Sequence, residues 1–254
     1  MNTTLTALIV FGCLVGAVLL GRALRRVLPE EHLTADSRDT IKLAMGLVAT
    51  MAALVLGLLV SSAKGSYDTE RNEVIQMAAK VAFFDRVLAT YGPEAAEARA
   101  GFHEVVKEAV GQMWPGEAGV PAHLAPNTRA GNTVFSAIEK LSPHDDAQRK
   151  LKDQATTLAT DFAQLRSLLV AQSVASISKP MLIILVSWLV VIFLGFSVLA
   201  PPNATVILAL MISAIAVSGA IFLILELDQP FGGVIRISSE PMLNALHQPA
   251  KSRQ

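Results

Sequence analysis

Charged residues are scarce in this chain of 254 residues. Asp, Glu, Lys and Arg make up 17% of it, where a soluble domain usually carries about 25%. The 21 positive and 21 negative charges cancel, so no excess of Lys and Arg suits a phosphate backbone and nothing favours nucleic-acid binding. Apolar residues fill 52% of the chain and gather in a few long runs. This composition predicts an integral membrane protein.

Residues that carry chemistry are also few. The single cysteine, Cys13, lies inside the first apolar run and cannot form a disulfide within the chain. No nucleophile motif, glycine-rich phosphate loop or paired-carboxylate signature is present. The sequence therefore predicts no catalytic residue, no metal site, no cofactor and no enzyme. The histidines show no ligand spacing and are expected to be surface or cap residues: His32, His103, His123, His144 and His247.

Four apolar runs are long enough to cross a bilayer, because about 20 helical residues span its ~30 Å hydrocarbon core. The first is followed, not preceded, by positive charge, which is the reverse of a secretory signal, so it is predicted to be a retained span. The runs are Leu5–Gly21, Leu43–Ser61, Met181–Ala200 and Ala204–Leu225. Gly12 and Gly16 form a GxxxG pair that either admits a close neighbouring helix or arises by chance.

The second span carries a face of small residues at helical spacing: Gly46, Thr50, Ala53, Gly57 and Ser61. Two interpretations are open. These candidate pore-lining residues border a water-filled path, or they permit close helix packing, which is the more usual role of small residues in membranes. No ionisable residue lies at mid-depth of any span, which disfavours a proton-coupled transporter. The apolar spans are compatible with a hydrophobic constriction that gates by dewetting.

Between the second and third spans the pattern is helical throughout. The second span is predicted to continue without a break to Tyr91, with an N-cap at Asp39 or Thr40. Its continuation carries a seam spaced by three and four: Val74, Met77, Val81, Phe84, Leu88 and Tyr91.

Gly92-Pro93 ends that helix, and a helix over Glu94–Met113 follows. Next come a loop, Pro115–Gly131, a short helix, Thr133–Leu141, and a long helix with Ser142 as N-cap. The long helix carries a second seam that can pair with the first: Leu151, Ala155, Leu158, Phe162, Leu165 and Leu169.

The predicted fold class is therefore all-α. Four transmembrane helices carry a long helical extramembrane domain between spans two and three. The predicted segments are the first two spans (1–64), the helical domain (65–178), spans three and four (179–228), and a final motif with a polar tail (229–254).

The orientation in the membrane stays open. Positive residues crowd the first loop and place it in the cytoplasm by the positive-inside rule: Arg22, Arg25, Arg26, Arg38 and Lys42. Other positive residues flank the membrane on the side of the helical domain: Lys64, Arg71, Arg166, Lys179 and Arg236. The balance leans towards a cytoplasmic first loop.

Two stretches carry a resemblance to a known family. Ser62–Arg99, which contains Tyr-Gly-Pro-Glu-Ala, and the closing LELDQPFGG of Leu225–Gly233 resemble a bacterial membrane family of unknown function that is described as bestrophin-like. The resemblance covers nearly the whole chain. It implies a multi-pass protein of the bacterial inner (plasma) membrane.

Bestrophins are pentameric ion channels whose second transmembrane helices line the pore, so the resemblance implies a channel of that kind. The chain departs from them in two ways. Gly233-Val234-Ile235-Arg236 stands where calcium-sensitive bestrophins carry an acidic run, so calcium gating is not supported. The second span also lacks the aromatic residues of the bestrophin neck.

The motif after the fourth span comprises Asp228, Pro230, Phe231 and Gly232. It is either a gate or latch against the helical domain, or a helix stop with Phe231 anchored among lipid headgroups. The function predicted is an oligomeric ion channel or pore, with the lipid bilayer, further copies of the chain and ions as partners. The alternative is a non-conducting membrane sensor or scaffold that acts through its helical domain.

Overall fold

A computed structural model describes residues 2–29, 34–114, 128–172, 179–201 and 203–247, except for the side chains of 128–131, 169–172, 179 and 247. The described residues contain α-helices, one 3-10 turn over Pro93–Ala95 and no strand, as predicted. The helices are α1 (Thr3–Val27), α2 (Ala35–Tyr91), α3 (Ala96–Met113), α4 (Thr128–Glu139), α5 (Asp146–Gln172), α6 (Lys179–Leu199), α7 (Ala204–Leu227) and α8 (Glu240–His247).

Four of these helices, α1, α2, α6 and α7, are long and apolar enough to cross a membrane. They contain the four predicted apolar runs, except that α6 ends at Leu199, one residue before the predicted end of the third run at Ala200. The 57-residue α2 continues through Ser61 to Tyr91 without interruption, as its sequence predicts.

Two predicted N-caps are wrong. Helix α2 begins at Ala35, and the Thr34 hydroxyl accepts a hydrogen bond from the backbone N–H of Ser37 at 3.3 Å, so the cap lies five or more residues before Asp39 or Thr40. Helix α5 begins at Asp146. There the Asp145 carboxylate, not the Ser142 hydroxyl, accepts from the Gln148 N–H at 2.7 Å. Ser, Thr and Asp all cap well, so residue type alone does not choose between neighbours.

The loop predicted over Pro115–Gly131 lies outside the described residues for 115–127. Its last residues, from Thr128, belong to α4, which begins before the predicted Thr133. His32 and His123 also lie outside the described residues.

The chain divides into two compact units, 1–66 with 176–228 and 67–175 with 229–254. In the first unit, α1 packs against α6 and α7. A Cβ at Gly21 would lie 2.7 Å from the Leu194 carbonyl oxygen and 2.8 Å from Ser197 Cβ, so only glycine fits there. Ser197 Oγ donates to the Val18 carbonyl at 2.6 Å. Gly12 and Gly16 have no described atom within 4 Å of a Cβ, so they make no close approach to the part of the chain that the structure describes.

The second unit has its own apolar core, which contains the whole first seam and part of the second. Of the second seam, Ala155 and Phe162 are in the core, Leu151, Leu158 and Leu165 pack against it, and the side chain of Leu169 lies outside the described residues. All six residues of the first seam are at most 3% exposed. Phe102 of α3 stands between the rings of Phe84 on α2 and Phe162 on α5, with ring centres 4.2 and 5.9 Å away. Lys80 of α2 also pairs with Asp161 of α5 at 2.5 Å. Aromatic contacts and one ion pair therefore link the helices that carry the two seams.

Candidate functional site

The apolar part of α2 has one packed face. Met45, Ala52, Leu59 and Ala63 are at most 6% exposed, and their spacing of seven, seven and four places them on one side of the helix. Met45 lies against α6, where a Cβ at Gly195 would come within 2.5 Å of the Met45 sulfur. Glycine at position 195 thus makes room for this methionine.

The small-residue face points another way. All five of its members are exposed in the single chain: Gly46, Thr50, Ala53, Gly57 and Ser61. Among the described residues, no atom lies within 4 Å of a Cβ at Gly46 or Gly57. At about 100° per residue, Ala53 lies some 80° from Met45 around the helix axis and Gly57 some 120°. The stripe therefore lies beside and beyond the packed face.

The chemistry that this stripe offers is weakly polar. The Thr50 hydroxyl donates to the Gly46 carbonyl at 2.9 Å, so its hydrogen is used inside the helix and its oxygen lone pairs remain outward. No charged side chain lies between Leu43 and Ser61. Leucines flank the stripe and are more than half exposed: Leu43, Leu47, Leu54 and Leu58. The face suits a neighbouring helix, lipid or a narrow water path.

The motif after the fourth span forms a closed turn. The N–H groups of Gly232 and Gly233 donate to the Gln229 carbonyl, each at 3.2 Å, and the Ile237 N–H donates to the Pro230 carbonyl at 2.7 Å. Pro230 and Phe231 are buried, Asp228 is half-buried and Gly232 is exposed.

Phe231 belongs to the core of the second unit. Its ring meets Trp114, at the end of α3, edge to face with the centres 5.5 Å apart. The Trp114 indole N–H donates to the Ile237 carbonyl at 2.8 Å. Trp114 thus holds both sides of the turn, and Phe231 contacts protein rather than lipid headgroups.

Sequence reasoning missed an ion cluster in the second unit. Arg99 donates twice to the Asp85 carboxylate, at 2.6 and 2.8 Å, and His103 contacts the same carboxylate at 2.6 Å. His103 is therefore a cluster member and not the simple surface or cap residue that was predicted. The sequence did carry two signals of this cluster. One was an acidic residue within the first seam, and the other was a pair of basic residues four positions apart on α3.

The electrostatics of this cluster favour an ionised carboxylate. Burial by itself raises the pKa of Asp85, but the hydrogen bonds from Arg99 and His103 outweigh it and hold that pKa below its ordinary value of 3.8. The same hydrogen bonding raises the pKa of Arg99. The cluster acts as a charged tie between α2 and α3.

A second buried acid was also missed. Glu226, near the end of α7, is 1% exposed and accepts a hydrogen bond from the Thr3 hydroxyl at the start of α1. The sequence signal was an acid directly after an apolar run. Among the described residues, no group of three or more His, Cys, Asp or Glu side chains could hold a metal ion.

Four membrane-length helices and apolar faces on both α1 and α2 define a multi-span helical membrane protein. A family model described as "Bestrophin-like domain" matches residues 12–242, and the chain therefore belongs to the bestrophin-like family. Comparisons with curated proteins and with solved structures found no match.

Proposed function

We propose that this chain is one subunit of an oligomeric ion channel, with the small-residue face of α2 along the conduction path. The observation that carries the proposal is the exposure of all five residues of that face, while the face with Met45 and Leu59 is packed. Membership of the bestrophin-like family supports the same function.

Space at the helix axis and hydration of the ion both favour this path. Glycine and alanine leave room at the axis when several copies of α2 converge, and hydroxyls such as those of Thr50 and Ser61 can replace water around a passing ion. The flanking leucines supply an apolar constriction that can close by dewetting. No fixed charge selects the sign of the ion, so selectivity would depend on dimensions and on charges outside the span.

The test compares two Ala→Leu variants of α2 in liposomes. Ala53 belongs to the small-residue face, and Ala44, nine residues earlier, lies about 180° around the helix; both are exposed in the single chain. We expect ion flux from the native protein, a loss of about tenfold or more in Ala53→Leu through occlusion, and near-native flux in Ala44→Leu.

Empty liposomes and the elution volume of each variant are the controls. Equal flux in Ala53→Leu and in the native protein would place the conduction path elsewhere. No flux from the native protein across a range of pH, voltage and calcium would reject the channel.

The second candidate is a non-conducting sensor or scaffold. It is favoured by one feature of α2: a single uninterrupted helix contains both the apolar span and the buried first seam of the second unit, which begins at Val74 and ends at Tyr91. A rotation or shift of such a helix would carry a signal between membrane and polar domain. The same liposome experiment discriminates, because a scaffold conducts in none of the three proteins.

A further inference from the structure

A cavity of about 220 Å³ lies within the first unit, where α1 ends and α7 begins. It is smaller than the ~300–1,000 Å³ of most drug-sized ligand pockets, so it suits a compact group. Its wall is basic on one side and apolar on the other. The α1 part of the wall consists of Val18, Arg22, Arg25 and Arg26, and the rest comes from Ser197, Ala200, Pro201, Val206, Ile207 and Leu210.

The three arginines share one face of α1, because Val18, Arg22 and Arg26 form an i, i+4 row and Arg25 lies three residues after Arg22. None of them forms an ion pair with another residue that the structure describes. The Nη1 atom of Arg25 is buried and has no hydrogen-bond partner there. A buried cationic donor without an acceptor is costly, and the described residues that line the cavity include no carboxylate. An anion bound in the cavity would therefore satisfy this donor.

The start of α7 adds a second attraction for an anion. The first helical hydrogen bond of α7 runs from the Ile207 N–H to the Asn203 carbonyl, so the preceding N–H groups have no helical acceptor. Asn203 provides no side-chain cap. Val206 and Ile207, in the first turn, line the cavity. The helix dipole favours negative charge at this end, and three guanidinium charges exceed the opposing partial charge at the end of α1.

The depth of the cavity in the membrane indicates which kind of molecule carries the anionic group. Arg22 is the first charged residue after the apolar run Leu5–Gly21, which places it where hydrocarbon gives way to headgroups. Val206 and Leu210, on the apolar side of the cavity, lie one turn apart on α7, which is one of the four membrane-length helices. A ligand that fits has a phosphate at one end and an acyl chain at the other.

We propose that this cavity binds the phosphate group of an anionic phospholipid. Arginine guanidinium groups match phosphate oxygens in paired hydrogen bonds, and basic pockets between transmembrane helices are known to suit such headgroups. Arg25 and Arg22 hold the phosphate, and the acyl chain follows Val206 and Leu210. The proposal is independent of ion conduction.

The test measures lipid binding to the purified, delipidated full chain in detergent by native mass spectrometry. The probes are short-chain phosphatidylglycerol, phosphatidylcholine with the same chains, and inorganic phosphate. We expect phosphatidylglycerol to bind, and phosphatidylcholine and inorganic phosphate each to bind about tenfold more weakly or worse. Inorganic phosphate that binds as tightly as phosphatidylglycerol would overturn a lipid site.

Arg25→Gln removes the central charge, and Arg38→Gln is the matched control, because it removes the same charge from α2 outside the cavity. We expect affinity for phosphatidylglycerol to fall about tenfold or more in Arg25→Gln and to stay within about twofold in Arg38→Gln. Equal affinity in the two variants would overturn the site. If Arg25→Gln does not elute as the native protein does, Arg22→Gln takes its place with the same expected loss.

Discussion

Asp85 shows how one side chain can tie two helices of the second unit together. Its carboxylate is 8% exposed and meets both Arg99 and His103, whose side chains are each 35% exposed. The acid is too buried to be solvated, while the partners remain open to water. The arrangement satisfies a charge that would otherwise be costly to bury.

We expect Asp85→Asn to destabilise the protein by about 2 kcal/mol, because Arg99 and His103 lose a charged acceptor while the pair is only partly desolvated. In thermal unfolding this corresponds to a midpoint lower by several degrees, at about 2–4 °C per kcal/mol. Asp153→Asn is the matched control, since Asp153 is exposed and its loss should be nearly neutral. An equal shift in both variants would contradict the tie.

The stabilisation of the fold by Asp85 depends on pH, and the direction of this dependence follows from its pKa. The pKa of Asp85 is lower in the folded protein than its ordinary value of 3.8, so the ionised group stabilises the fold fully above that value. The stabilisation is lost as pH falls through the lower, folded pKa. We therefore expect the difference between native protein and Asp85→Asn to be constant near neutral pH and to shrink below about pH 4. A difference that grows on acidification would contradict this assignment.

At the scale of elements, α1 and α6 illustrate how two apolar helices choose their contact. The backbones come together at Gly21, where a Cβ would meet both the Leu194 carbonyl and Ser197. The Ser197 hydroxyl then donates to α1. A small residue and a satisfied hydroxyl are the usual means of packing helices in a membrane, where burial from water supplies no driving force between them.

We expect Gly21→Val to weaken the contact of α1 with α6 and to lower the thermal unfolding midpoint. The new Cβ would clash with backbone atoms of α6, and these cannot move aside in the way that the end of a flexible side chain can. The cost should be about 1–3 kcal/mol, as for other overpacked positions. Gly16→Val is the control on the same helix, where no atom of a described residue lies within 4 Å of the new Cβ. Similar midpoints for the two variants would show that the close approach tolerates a side chain.

At the scale of the whole molecule, the apolar part of α2 remains largely uncovered in a single chain. Only 17% of its most apolar 18-residue stretch is buried, and the small-residue face belongs to the exposed remainder. In a bilayer, either lipid or the α2 helix of another copy can cover such a face. An oligomer is the arrangement that the proposed channel requires.

Cysteine cross-linking tests that oligomer. In a Cys13→Ser background, we expect Ala53→Cys to give a cross-linked band at twice the 27.0 kDa chain mass under mild oxidation. Ala52→Cys is the matched control, because Ala52 is 3% exposed and cannot meet a second chain. Absence of the band for Ala53→Cys, or equal bands for both variants, would show that the small-residue face does not form a contact between copies.

The sequence by itself determined the four membrane-length helices, the continuous α2 and the apolar seams of the second unit. Each of these follows from the length or period of nearby residues along one helix. It also placed Gly46, Thr50, Ala53, Gly57 and Ser61 on one face. Helix starts were predicted less well, because several adjacent residues cap equally well.

Only the tertiary structure decided which face of α2 is packed, why Gly21 rather than Gly12 or Gly16 is the close contact, and where Asp85 and Phe231 find their partners. The basic cavity at Arg25 is likewise a feature that only the tertiary structure decided. The physical reason is common to all of them. These contacts join residues far apart in the chain, and local periodicity carries no information about which distant helix lies opposite a given face.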